Sequence, residues 1–447
     1  MRSALVEAPY GIVFPGMACY ALPPSGNAMP AAFLLRAGDD DFAGAFADHA
    51  VARRDDVLFT DSGTSALYAA FRALAETRPG GRVAVPAWCC PSVPQAAIQA
   101  GLLPVPVDLD PETLAYEPFA LERARERGLA AAVLVHFFGM PAPLPSGNWD
   151  GVLLLRDCAQ DFDFEPESGD PCPRIYSFGR GKALNSGHGG ALCLPPAGPA
   201  AGAYAEACRR AHAELPPSGA HPLPKALAIN ILSHPRLYWA VCALPGLGIG
   251  ATAWASPLAF ARMSEAFPRL GSACLEAYLQ RRHGYRDLLS RYRALFLACD
   301  PERVRMPFPP GMRTPGAVAA RFPLLFGDGD LRERFHDAVK ARYGGVTRMY
   351  PAILPDLPGA PAEWAREALE REGYPGARRV AREILTLPVA AALLGREAGF
   401  LSCLESILRE AGVLRIAAAG SADWAPAPER AVRPALFPGG FPYTSTL

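Results

Sequence analysis

The sequence predicts an α/β fold, and three stretches predict it. Ala131–Val135 is wholly apolar and Gly151–Arg156 nearly so; short continuous apolar runs of this length suit strands buried on both faces of a parallel sheet. Val57–Thr60 reads as a short strand that passes through the small-residue turn Asp61-Ser62-Gly63-Thr64 into a helical run over Tyr68–Glu76. Strands alternating with helices through short turns are the pattern of a sheet covered by helices.

Bulk properties narrow the class. The chain has 447 residues, enough for a large core and more than one domain. Lys plus Arg and Asp plus Glu balance at 44 each, and no Lys/Arg run offers a basic field to nucleic acid. The start, Met-Arg-Ser-Ala-Leu-Val-Glu-Ala, lacks the apolar core of a secretory signal. Eleven scattered cysteines, with no C-x-x-C pair and no metal-ligand spacing to the eight histidines, fit a reduced cytoplasmic enzyme without a metal site.

In chain order, residues 1–50 are broken by Pro15, Pro23, Pro24 and Pro30, with helical spacing only over Asp41–Val51. The free N–H groups and dipole at the helix start after Ser62 favour an anion, and Gly63 lets the backbone approach it; a plain Ser/Thr N-cap is the alternative. Arg82–Pro86 is a strand, Ala87–Pro91 a turn and Val93–Ala100 a helix. Asp108 and Asp110 follow the next strand as turn and cap residues, and a helix spans Leu121–Arg127. His136 follows a buried strand and reads as structural. Asp157 lies just beyond the C-terminal end of the Gly151–Arg156 strand, where open α/β sheets place ligands. An unpaired buried carboxylate is costly, so a functional partner is expected for it.

Ile175–Leu192 organises the chain. Lys182 stands alone between Gly179, Gly181, Gly187, Gly189 and Gly190, with strand-like residues at both ends. A lysine on glycine-rich turns is poorly suited to a core and well suited to a bound carbonyl compound, because lysine amines form Schiff bases with carbonyl substrates and with pyridoxal phosphate (PLP). Beyond Leu194, residues 195–225 read as a loop with one short helix. Residues 227–260 are strongly apolar but interrupted by His234, Pro235, Arg236 and Pro245, too short for a span of about 20 apolar residues. Two readings of that segment stand: a buried helix with a dimer-contact loop, or a surface resting on a membrane or a lipid-linked substrate. A long helix over about 272–298 leads to a smaller α/β unit at 301–415, with a closing helix at Leu401–Ala411 and an extended or disordered tail from 420.

The pattern Ser177-Phe-x-x-x-Lys182-x-Leu184-x-x-Gly187-x-Gly189-Gly190 resembles the lysine segment of the DegT/DnrJ/EryC1/StrS aminotransferases. Ser62-Gly63-Thr64, Asp157-x-x-Gln160, His136-Phe-Phe-Gly139 and Arg262-Met-Ser-Glu265 resemble further motifs of that family, and Ala377–Pro388 resembles its helix ending in Leu-x-Leu-Pro. The resemblance covers roughly 40–415. It implies a fold-type I PLP-dependent transferase of the aspartate aminotransferase class: a mostly parallel seven-stranded large domain (1–300, with the apolar insertion 195–260 and the linking helix), a small C-terminal α/β domain (301–419) and a Pro/Gly-rich tail (420–447).

By resemblance, Lys182 carries PLP as an internal aldimine and shuttles protons, and Asp157 pairs with the pyridine nitrogen. Gln160 lies near the phenolic oxygen, and Ser177, Gly63 and Thr64 hold the phosphate. The implied reaction moves an amino group from an amino acid, glutamate by expectation, to a keto-sugar or related intermediate, in a homodimer. A lysine at 182 argues against the family's sugar dehydratases, which carry histidine there. Three positions depart from the pattern. Cys90 replaces the family's cofactor-stacking aromatic, leaving Trp88 as the candidate stacker; Phe260 replaces a partner-supplied asparagine; His188 replaces a common glutamate. These departures keep two alternatives open: another PLP reaction (elimination, racemisation or condensation) and a non-catalytic PLP-binding regulatory protein.

Overall fold

The computed structural model describes residues 21–23, 25–26, 41–195, 199–238, 252–254, 257–308 and 320–415. Most of the stretch read as irregular before residue 41, part of the apolar segment 227–260 and the tail lie outside them. The strands in chain order are β1 (Ser25–Gly26), β2 (Val57–Thr60), β3 (Arg82–Pro86), β4 (Leu103–Val107), β5 (Ala131–Val135), β6 (Leu153–Asp157), β7 (Arg174–Ser177), β8 (Gly190–Cys193), β9 (Val304–Arg305), β10 (Arg321–Phe326) and β11 (Ile384–Ala390). The helices are α1 (Phe42–His49), α2 (Gly63–Thr77), α3 (Ser92–Gln99), α4 (Pro118–Glu126), α5 (Pro199–Glu214), α6 (Pro222–Leu232), α7 (Phe267–Leu297), α8 (Gly329–Arg342), α9 (Ala362–Arg371), α10 (Pro375–Glu383) and α11 (Glu397–Glu410).

Seven strands form one sheet in the order β2-β8-β7-β6-β5-β3-β4. Its pairings are parallel from β4 across to β7; β8 alone runs the other way, antiparallel to both β7 and β2. The register sets Val135 beside Asp157, Asp157 beside Ile175, and both Ser177 and Thr60 opposite Gly190. The C-terminal ends of four strands therefore meet the start of β8 at one edge of the sheet. Parallel strands need crossovers, and the helices between them cover the faces: α2 packs on β7 and β8 and against α3 and α5. On the other face the rings of Phe42, Phe46, Phe178 and Phe267 interlock, Phe42 meeting Phe178 edge-on at 5.7 Å.

A second sheet, β1-β11-β10-β9, is antiparallel except for the β1–β11 pair. Here the structure corrects the reading of Ala377–Pro388 as one helix. Helix α10 stops at Glu383 and the Ile384–Ala390 stretch is a strand buried along its whole length. Pro388 disfavours helical backbone at Leu387, and a run apolar on both faces suits a central strand. The loop expected over 195–225 is mostly helix as well. Alanine-rich α5 has strong helix propensity, and Ala207 and Cys208 are buried on it while the Tyr204 hydroxyl donates to Ala70 O at 3.0 Å. The linking helix begins at Phe267, earlier than expected.

Candidate functional site

The sheet edge described above opens into a cavity of about 600 Å³. Its wall gathers Gly63, Thr64, Asp157, Gln160, Ser177 and Lys182, six of the seven residues singled out in the sequence. Four segments of the chain place them. Gly63 and Thr64 open α2, where Ser62 caps the helix by accepting from Ser65 N at 3.1 Å. The first N–H groups of a helix have no intrahelical acceptor, so Gly63 and Thr64 present theirs to the cavity together with the positive end of the dipole. Ser177 ends β7. A Cβ built on Gly63 would sit 2.7 Å from Ser177 Cβ, so only glycine allows the serine hydroxyl and the helix start to come together.

Asp157 closes β6 and is 6% exposed; one carboxylate oxygen accepts from Ala159 N at 3.0 Å. Burial raises its carboxyl above the usual range, and the Lys182 charge, which opposes this, lies within electrostatic reach. Gln160 accepts from Phe138 N at 3.3 Å and points its amide towards the Tyr350 hydroxyl, 3.5 Å away. Lys182 rides on the loop between β7 and β8. That loop turns through positive φ at Gly181, Gly187 and Gly189, and the Ser186 hydroxyl ties it by donating to Phe178 O at 2.8 Å.

Trp88 is the seventh residue, and it does not reach the cavity. Its ring is fully buried against Phe137 and Tyr350, and its Nε1 donates to Tyr350 O at 2.9 Å. The stacking role expected of Trp88 therefore gives way to support of Tyr350. Cys90 lines the cavity instead, its thiol 3.0 Å from Ser92 Oγ. Phe260 lies stacked on Tyr68 of the same chain, with ring centroids 3.9 Å apart. His136 is structural, as its position implied: it is fully buried, with Nδ1 2.9 Å from Asp161 and Nε2 3.3 Å from Arg156.

Sequence reasoning missed part of the wall. Tyr350 enters it next to Met349, whose positive φ (59°) is a costly backbone for a non-glycine residue. The sequence did hold a signal for it: Gly344–Pro351, Tyr350 included, resembles the stretch where DegT/DnrJ/EryC1/StrS members turn toward the substrate. Lys225, Ala228, Ile229 and Leu232 reach the cavity from α6, and nothing in their own sequence marks them. His188 also lines it, with Nε2 buried and unpartnered; burial lowers its imidazole below the ordinary range, against the pull of Asp61.

These groups suit PLP. The Gly63 cradle beside Ser177 offers N–H and hydroxyl donors to a phosphate, Asp157 offers a buried carboxylate to a pyridinium, and Lys182 offers a primary amine.

Comparison with known proteins follows the same lines. Residues 34–201 match the sequence profile of the DegT/DnrJ/EryC1/StrS aminotransferase family. That match covers less than half of the 447 residues, and it is this segment that is similar to the family. Among characterised proteins, the chain is 33% identical over 166 residues to the L-glutamine:2-deoxy-scyllo-inosose aminotransferase of Micromonospora echinospora, covering 34% of this chain and 37% of the relative. It is 36% identical over 103 residues to a UDP-N-acetyl-3-dehydro-α-D-glucosamine 3-aminotransferase of Acidithiobacillus ferrooxidans, covering 22% and 28%. The sequence match thus spans roughly a third of these relatives' length. The fold extends further. The aminotransferase TlmJ of Streptoalloteichus hindustanus superposes with a TM-score of 0.59 at 20% identity, over 89% of this chain and all of that one. NtdA of Bacillus subtilis, solved with bound PMP, gives 0.61 at 15%, over 92% and 90%. The fold is that of these aminotransferases, a mostly parallel seven-stranded α/β sheet.

Proposed function

We propose that this chain is a PLP-dependent aminotransferase that moves an amino group from an amino acid, glutamate or its amide, to a keto-sugar or related cyclic ketone. The observation that carries the reading is the convergence on one cavity wall of an anion cradle from a helix start and the end of β7, a buried carboxylate from the end of β6 and a primary amine from the loop between β7 and β8. The acceptor class is supported by what the two relatives above are named for.

In this reading Gly63, Thr64 and Ser177 would hold the phosphate of PLP, Asp157 would pair with its ring nitrogen, Gln160 would approach its phenolic oxygen, and Lys182 would supply the amine that anchors it. Bound there, PLP supplies an electron-poor ring that makes a substrate Cα–H acidic. Lys182 Nζ is the group on this wall that would take a proton from the donor's Cα and, in the return half, would hand one to the acceptor carbon. The Asp157 carboxylate, charged against its burial, opposes the positive charge of the ring nitrogen. Tyr350 and the α6 residues narrow the cavity and exclude water from the exchange.

A cytoplasmic homodimer completes the proposal. Leu223, Leu227 and Ile231 of α6 are 37%, 43% and 50% exposed beside the cavity, an apolar face suited to a second copy. Among the described residues no helix is long and apolar enough to cross a membrane.

The test is the visible spectrum of the purified chain with PLP, before and after L-glutamate or L-glutamine, beside Lys182→Ala. An absorbance band that requires Lys182 and bleaches with the amino donor supports the proposal. A Lys182-dependent band that no amino donor bleaches points to another PLP reaction or to a binding protein. No band at all sinks the PLP assignment.

A further inference from the structure

The β7–β8 loop and helix α6 meet beside one side chain, His188. Gly187 and Gly189 flank it at φ 72° and 97°. Both glycines are packed too closely for a side chain. A Cβ on Gly187 would lie 2.3 Å from Ile229 Cδ1 of α6, and one on Gly189 would lie 2.9 Å from Phe267 Cζ. The backbone is also tied to the start of α2, where Gly189 N donates to Asp61 O at 2.6 Å. These contacts hold the imidazole in place. It is 7% exposed, its centroid is 5.8 Å from that of the Phe267 ring, and it lines the cavity that contains Lys182.

The two ring nitrogens differ. Nε2 is buried and has no hydrogen-bond partner. Nδ1 also has no partner among the described residues but is not sealed, so it is the nitrogen open to the cavity. A buried polar atom without a partner is costly, and here the cost decides the charge. An imidazolium would carry an N–H at Nε2 with nothing to accept it. Burial accordingly lowers the imidazole below its ordinary range, against the pull of Asp61 and with the push of Lys225. The neutral ring keeps one polar atom for the cavity, and Nδ1 donates in one tautomer and accepts in the other. Such a group is a poor seat for an ion. It suits a hydroxyl, which also donates or accepts.

Resting on the aminotransferase reading of the cavity, we propose that His188 Nδ1 binds a hydroxyl of the sugar-like substrate and so takes part in choosing the acceptor. The side-chain amide of a glutamine donor is the other neutral group that could claim it, and the experiment separates the two.

The test uses the full chain loaded with PLP. Its probes are scyllo-inositol, a cyclic polyol with no group to transfer, and L-glutamate and L-glutamine as donors. In ¹⁵N NMR of the imidazoles, the His188 signals are those missing from His188→Leu. Scyllo-inositol should move the Nδ1 signal and leave Nε2 in place. Saturation-transfer NMR on the polyol then gives its half-saturating concentration for each variant. Asparagine puts an amide where Nδ1 stood, and glutamine puts one where Nε2 stood. Both lose the ring's packing on Phe267, so their difference reports the position of the polar atom and not the integrity of the fold. His188→Asn should bind the polyol within about threefold of wild type; His188→Gln and His188→Leu should bind it about tenfold more weakly, the worth of one neutral hydrogen bond. Bleaching of the visible band by either donor should keep its half-saturating concentration within about threefold throughout. Equal polyol binding by all four proteins, an Nδ1 signal that scyllo-inositol does not move, or a loss confined to L-glutamine each overturns the contact. A chain that takes up no PLP, or whose band no amino donor bleaches, sinks the aminotransferase reading instead; that result is read from the visible band and not from the polyol.

Discussion

The cavity has two walls of different origin. One is the sheet edge, where Gly63, Asp157 and Ser177 are fixed by register and by a helix start packed too closely for a side chain to intervene. The other is α6, which lays Lys225, Ile229 and Leu232 over the opening while Leu223, Leu227 and Ile231 remain exposed. The first wall is held by a network of strand pairs; the second is one helix with an apolar outer face. The difference teaches where chemistry and where selectivity belong. On the proposed reading, groups that would have to hold the cofactor rigidly sit at the sheet ends, and groups that would meet the substrate sit on the α6 flap.

Five substitutions break or sharpen that contrast. Lys182→Ala is expected to abolish the donor-driven spectral change and lower turnover by about 10³-fold or more, in keeping with loss of a proton-transferring group. Asp157→Asn removes the charge that, on the proposed reading, would pair with the ring nitrogen. Turnover should fall by about 100-fold while PLP still binds, read as kcat against PLP affinity. Gly63→Ala forces a methyl to within 2.7 Å of Ser177 Cβ; PLP affinity, measured by fluorescence titration, should drop by about tenfold, equivalent to about 1.4 kcal/mol. Trp88→Phe loses the bond to Tyr350 O and should cost about 1 kcal/mol in chemical denaturation without weakening PLP. If PLP affinity falls instead, Trp88 reaches the cofactor and the geometry drawn for it is wrong. Lys225→Ala, on the flap, should change PLP affinity by less than about threefold, as expected for one exposed charge. A loss as large as that of Gly63→Ala would erase the distinction between the walls.

How much of this was legible beforehand follows the same division. The strand ending in Asp157 and the strand–turn–helix at Ser62-Gly63-Thr64 could be read because apolar run, turn and helix start lie next to one another in the chain. The glycine spacing around Lys182 was legible for the same reason: positive φ at Gly181, Gly187 and Gly189 is a local demand. The flap was not legible, because what brings Ile229 against Gly187 is tertiary packing. Trp88 misled because an aromatic near the expected place carries no sign of which way it points, and a buried carbonyl at Tyr350 claimed its indole N–H. The helix drawn through Ala377–Pro388 failed at Glu383, where arginine-rich helical spacing gives way to a run apolar on both faces.

The single reversed strand has a topological consequence. Because β7 and β8 pair with Ser177 opposite Gly190, the loop bearing Lys182 leaves and re-enters the sheet at the same point. It is a sealed bight of chain, its ends knotted together by a ladder before the next residue is laid down. The helices that follow Cys193 are spliced in beyond the seal. The segment beyond Cys193 can therefore be lengthened, shortened or replaced while the Lys182 amine keeps its address.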